Sequence, residues 1–197
     1  MTHPAATHED HFRAGRSLGL DHLKVGMWLF LASEVMFFGG LIAAFLNYKI
    51  NNPTPEAGAL DVTLVGVNTF VLLASSLTVV SALAGIQRGD TAAMNLYLLV
   101  TIGLGVAFLS GQAYEFVSLY RDGVSLSSSL FGSSFFTLTG FHGLHVLVGV
   151  AWASSTFFRG MRGSYTRDNH IGVELFGLYW HFVDIVWIVL FTIIYLI

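Results

Sequence analysis

Thr139-Gly-Phe-His-Gly-Leu-His-Val-Leu-Val-Gly-Val-Ala-Trp152 places two imidazoles, His142 and His145, inside a run that is otherwise almost wholly apolar. Read as a helix, residues three apart lie on one face, so both rings are expected to point the same way. Gly140, Gly143 and Gly149 leave bare backbone beside them, where a neighbouring helix can come close. Ionisable groups at membrane depth cost several kcal/mol unless they face a bundle interior and find partners there. The stretch therefore requires a polar partner elsewhere in the chain.

Composition supports the membrane reading. Of 197 residues, 54% are hydrophobic and 11% are charged, against about 25% charged in an ordinary soluble domain. The net charge is −3 and no basic run exists, so nucleic acid is not an expected partner. Without cysteine there is no disulfide, thiolate metal site or iron–sulfur cluster. Residues 1–23 are polar and His-rich, lacking the apolar centre of a removable signal peptide. His3, His8 and His11 stud that segment, and no role is assigned to them.

Five apolar spans follow, at about 24–46, 64–86, 93–119, 128–158 and 172–197, each long enough to cross roughly 30 Å of hydrocarbon as a helix. The expected fold is all-α: a polytopic membrane bundle of five transmembrane helices. All three prolines, Pro4, Pro53 and Pro55, fall outside the spans, so the helices should be continuous. Cations divide unevenly between the two sides. Arg13, Arg16, Lys24, Arg88, Arg159, Arg162 and Arg167 lie on one, and Lys49 and Arg121 on the other. The positive-inside rule then puts the N-terminus in the cytoplasm.

Polar residues within the spans are few. Glu34 sits near the middle of the first, and acids at that depth are functional hypotheses by default, beside the plainer reading of a packing hydrogen bond. Asn68, Ser75, Ser76, Thr78 and Ser81 in the second span read as helix-packing groups. Glu115 lies near a span end and is expected to snorkel to the interface, with Tyr114 and Tyr120 in an aromatic belt. Glu174, His181 and Asp184 in the fifth span form one helical stripe, which is the expected partner of His142 and His145.

Three chemistries suggest themselves for this constellation. Imidazoles from His142, His145 and His181 suit a metal or haem. Yet His142 and His145, both on one face, cannot both be axial ligands to one iron, and the expectation is a hydrogen-bond network with no metal or cofactor in the chain. No nucleophile elbow accompanies the serines, which argues against a hydrolase. Buried His and carboxyl groups could serve a proton-coupled transporter, but the chain has neither an internal repeat nor a Pro-broken helix pair.

Three blocks resemble subunit III of the haem–copper terminal oxidases. They are Trp28-Leu-Phe-Leu-Ala-Ser-Glu-Val-Met-Phe-Phe38, then Gly132-Ser-Ser-Phe-Phe-Thr-Leu-Thr-Gly-Phe-His-Gly-Leu-His-Val146, then Tyr179-Trp-His-Phe-Val-Asp-Ile-Val-Trp187. The resemblance runs from Leu23 to the end, dividing the chain into a polar cytoplasmic segment, 1–22, and a five-helix membrane domain, 23–197. Many members have seven helices; this chain is similar to the five-helix form, so the lipid cleft of the longer form does not carry over intact.

The resemblance implies a non-redox accessory subunit of a proton-pumping oxygen reductase in the bacterial cytoplasmic membrane. Haem and copper belong to its partners, among them catalytic subunit I. It further implies support of the catalytic subunit and of proton uptake, with no catalytic residue in this chain. Glu34 matches the family's buried carbodiimide-reactive glutamate; Glu174, His181 and Asp184 match its last-helix polar residues, and His142 and His145 its fourth-span pair. Membrane lipid is an implied partner, and Arg159, Arg162 and Arg167 are the candidate headgroup contacts. A cytochrome c oxidase is the leading expectation. The alternatives are a quinol oxidase subunit, an accessory protein of a nitric oxide reductase, a haem-bearing membrane anchor and a transporter.

Overall fold

The computed structural model describes residues 22–51, 61–127 and 129–197. Those residues form five helices: α1 (His22–Asn51), α2 (Val62–Gln87), α3 (Thr91–Arg121), α4 (Leu130–Met161) and α5 (Ile171–Phe191), the last continued by a π-helical turn, Thr192–Leu196. All five are long and apolar enough to cross a membrane, which agrees with the all-α polytopic bundle expected from the spans. Two boundaries differ. The first helix runs on to Asn51, past the expected end near residue 46, and the fifth abandons α-helical register at Thr192. The segment with His3, His8 and His11 lies outside the described residues, as does all of 1–22 except His22.

The helix ends follow from local chemistry. Asp61 accepts from the Thr63 and Leu64 amides, Asp90 from Ala93 and Ser129 from Gly132, each satisfying donors that the first turn leaves open. Past the ends of α2, α3 and α4 stand Gly89, Gly123 and Gly163, with φ of 81°, 85° and 72°. Only glycine adopts this left-handed backbone without a Cβ penalty, so each reversal is written into the chain.

Helices α2, α3, α4 and α5 close into a ring, each packed on the next and α5 back on α2, while α1 rests against α4 and α5. Lipid tails are as apolar as leucine, so close packing and interhelical hydrogen bonds hold such a bundle together. Trp180 shows the packing. Its ring fills a hollow between α3 and α4, where a Cβ on Gly105 would stand 3.0 Å from it and one on Gly149 would stand 2.6 Å away. Its indole N–H donates to Ser75 Oγ of α2 at 2.8 Å, so a single side chain joins four helices.

Helix α1 is the peripheral one. Met27, Leu31, Phe38 and Phe45 turn inward at helical spacing, while Leu29, Met36 and Ile50 lie exposed on the opposite side. Polar contacts hold it at three depths. Lys24 pairs with Glu174, Glu34 meets His145, and Lys49 Nζ donates to the Ile193 carbonyl at 3.0 Å. Lys24 and Lys49 are 25 positions apart, about 37 Å along the axis, so these contacts pin α1 over its length.

Candidate functional site: polar groups at membrane depth

The stripe Glu174, His181, Asp184 does not meet His142 and His145. The partner of His145 is Glu34, whose Oε2 lies 3.1 Å from His145 Nε2. The other ring nitrogen, Nδ1, lies 2.7 Å from the Phe141 carbonyl. A carbonyl only accepts, so Nδ1 carries the hydrogen. One further proton then lies between Nε2 and Oε2, held as an acid–imidazole pair or as an ion pair. Phe38 packs against the imidazole at 5.0 Å, and the Tyr179 hydroxyl donates to the His145 carbonyl at 3.0 Å. Helices α1, α4 and α5 therefore converge on one residue.

His142 departs from the expected network. It is fully buried, and neither ring nitrogen has a hydrogen-bond partner among the described residues. Instead its ring stacks on Trp187 at 4.7 Å and meets the edge of Phe108 at 5.9 Å. The two histidines were expected to face one way, but three residues on a 3.6-residue helix differ by 60°. That angle separates a ring facing α1 from one facing the aromatic centre of the α2–α5 ring.

The fifth-span stripe meets other helices. Glu174 pairs with Lys24 of α1 and lies 3.2 Å from His170 Nε2 at the start of its own helix. One turn below the middle of that stripe, Asp184 accepts from Ser76 Oγ of α2 at 2.7 Å. Ser76 Oγ is in turn 3.3 Å from His181 Nδ1. The residues expected to form one network thus fall, among the described residues, into three separate polar clusters, with His142 in none of them. The reason is position: α5 turns this stripe to α1 and α2, and reaches α4 through other residues such as Tyr179.

The expectation for Glu115 fails in the structure. It does not snorkel; it is 5% exposed, and Tyr195 Oη donates to its Oε1 at 2.8 Å. Helix α3 continues to Arg121, setting Glu115 more than a turn inside the bundle, and the π-turn carries Tyr195 across to it. The sequence does not single out Tyr195, and its pairing with Glu115 cannot be read there, since helical periodicity does not say which helix lies opposite. Gln112 was also overlooked. It is buried, its side-chain amide donates to the Thr139 carbonyl at 2.7 Å, and it occupies the space beside Gly143.

Arg159, Arg162 and Arg167 are exposed at the α4–α5 end of the bundle, and Arg159 lies over the Tyr165 ring at 5.5 Å. Among the described residues, no group of three or more His, Cys, Asp or Glu side chains is placed to hold a metal ion.

The family model described as "Cytochrome c oxidase subunit III" matches residues 6–197. The chain is 42% identical over 178 residues to "Cytochrome c oxidase subunit 3" of Synechocystis, covering 87% of this chain and 74% of the relative. Against the protein of that name from Thermostichus vulcanus it is 34% identical, covering 92% and 94%. The Bos taurus protein is 40% identical, over 88% of this chain and 69% of the relative. With five membrane-length helices and a family match over nearly its whole length, this chain belongs to the cytochrome c oxidase subunit III family.

Proposed function

We propose that this chain is the accessory, non-redox subunit III of a proton-pumping haem–copper oxygen reductase of the cytochrome c oxidase type. It lies in the bacterial cytoplasmic membrane with its N-terminus in the cytoplasm. There it stabilises catalytic subunit I and supports proton uptake, while the haems and copper reside in the partner subunits. The observation that carries the reading is how the interior polar groups are used. Glu34 meets His145, Glu174 meets Lys24 and Asp184 meets Ser76, each contact joining two helices. Side chains committed in this way fasten a scaffold. Arg159, Arg162 and Arg167 contact anionic lipid headgroups in this reading, which their exposure at the cation-rich end supports.

Mild-detergent purification from native membranes, followed by identification of co-purifying chains and a reduced-minus-oxidised spectrum, tests the reading. The expected result is a haem–copper catalytic subunit in the same particle and no haem band from the isolated chain. Recovery without such a subunit, or a haem band from the chain alone, would overturn it. The donor oxidised by the particle, cytochrome c or a quinol, separates the two oxidase classes in the same preparation.

A further inference from the structure

Between α1, α2 and α5 runs a cavity of about 300 Å³, lined among others by Lys24, Trp28, Leu83, Glu174 and His181. Its polar end is the Lys24–Glu174 pair, and His181 lies two helical turns deeper, about 10 Å along α5. A second cleft of about 340 Å³ shares Trp28, Leu178 and His181 with it. His181 is thus the titratable side chain that both spaces share.

Behind His181 the hydrogen bonds have a direction. Asp184 Oδ2 accepts the Ser76 hydroxyl hydrogen at 2.7 Å. Having given that hydrogen away, Ser76 Oγ is an acceptor toward His181 Nδ1 at 3.3 Å. The imidazole therefore carries its hydrogen on Nδ1, which leaves the Nε2 lone pair for the cleft that His181 lines. Asp184 is 6% exposed, and its second oxygen, Oδ1, has no hydrogen-bond partner among the described residues. His181 is the titratable neighbour that bears on it, and α2, which supplies Ser76, has no titratable side chain along its length.

We propose that Asp184 is a proton-exchange site, reached from the Lys24–Glu174 end of the cleft through His181 and Ser76. A proton arriving at Nε2 releases the one on Nδ1 to Ser76 Oγ, whose own hydrogen passes to Asp184 Oδ2. The carboxylate becomes a carboxylic acid and His181 is left as its Nε2–H tautomer. The reverse sequence restores the starting arrangement: Asp184 returns its proton to Ser76 Oγ, the Ser76 hydrogen passes back to Nδ1, and the proton on Nε2 leaves to the cleft. No bond between heavy atoms changes and no redox partner is needed. The site stands on the cleft and this hydrogen-bond chain, independently of the accessory-subunit reading.

Infrared difference spectra of the intact complex in lipid nanodiscs, between acid and alkaline buffer, test the proposal. A protonated-carboxyl C=O band should appear that D184N removes. On transfer to D2O the band should shift promptly in the wild type, and on the order of tenfold or more slowly in S76A and H181F. If D184N does not assemble, S76A identifies the band by moving its frequency, because it removes the hydrogen bond to Oδ2. Absence of such a band, its survival in D184N, or exchange as fast in S76A and H181F as in the wild type would overturn the proposal.

Discussion

Glu34 and His145 share one proton across 3.1 Å, and the orientation of the imidazole is fixed from behind by the Phe141 carbonyl. Because Nδ1 must donate to that carbonyl, Nε2 needs a donor or an anion in front of it. Glutamate meets either need.

Glu34→Ala removes both possibilities, whereas Glu34→Gln supplies an amide N–H to Nε2. We expect E34A to loosen α1 from α4 by about 1 kcal/mol, the usual scale for an interhelical hydrogen bond in a membrane, and E34Q to stay close to wild type. Thermal dissociation of the subunit from its complex measures this. Initial oxygen reduction should be near normal in both. Immediate, complete loss of turnover in an intact E34A complex would show that Glu34 is essential to the reaction.

For His142 the expectation is the reverse of a functional histidine. Its nitrogens are buried without partners, so His142→Phe retains the stack on Trp187 and relieves unsatisfied polar atoms. Burying such atoms costs about 1–3 kcal/mol. The variant should assemble normally, with an unchanged or raised melting temperature. Failure of H142F to assemble, with H142Q unaffected, would mean that the ring nitrogens serve a partner in the native complex.

At the opposite end, Tyr195→Phe leaves a buried carboxyl without its hydroxyl donor. The expected loss is about 1–3 kcal/mol of subunit stability, read as a lower unfolding temperature of the complex. Combining Y195F with E115L should recover part of it, because removing both partners abolishes the unsatisfied group. If the double variant is as damaged as the sum of the singles, the pair is not what holds the last turn of α5.

Glycine substitutions separate contact from open surface. A Cβ at Gly149 would stand 2.6 Å from the Trp180 ring, while one at Gly40 or Gly140 would meet nothing within 4 Å. Gly149→Ala should cost about 1–3 kcal/mol through forced repacking of α4 against α5. G40A and G140A should leave the isolated subunit unchanged. A complex disrupted by G40A or G140A, with the subunit itself intact, would mark that face as covered by another chain.

Much of the molecule was legible in its sequence. Long apolar runs without proline allow one solution in lipid, the continuous helix with every backbone group satisfied internally. The glycines beyond α2, α3 and α4 and the capping Asp61, Asp90 and Ser129 set the turns by local chemistry. That Glu34, the imidazoles and Asp184 face inward also follows from composition, since hydrocarbon penalises the alternative.

Which group meets which was decided elsewhere. Helical periodicity gives the face a side chain occupies but not the helix opposite it, so one expected network became three clusters. His142 passed to the aromatic centre because 60° of rotation parts it from His145. Glu115 meets Tyr195 from within the π-turn at Thr192–Leu196, a departure from α-helical register that the sequence did not announce. Pairing between helices depends on their order around the bundle and on their relative rotation. Both are properties of the whole packed assembly, set once small residues such as Gly105 and Gly149 admit Trp180 between the backbones.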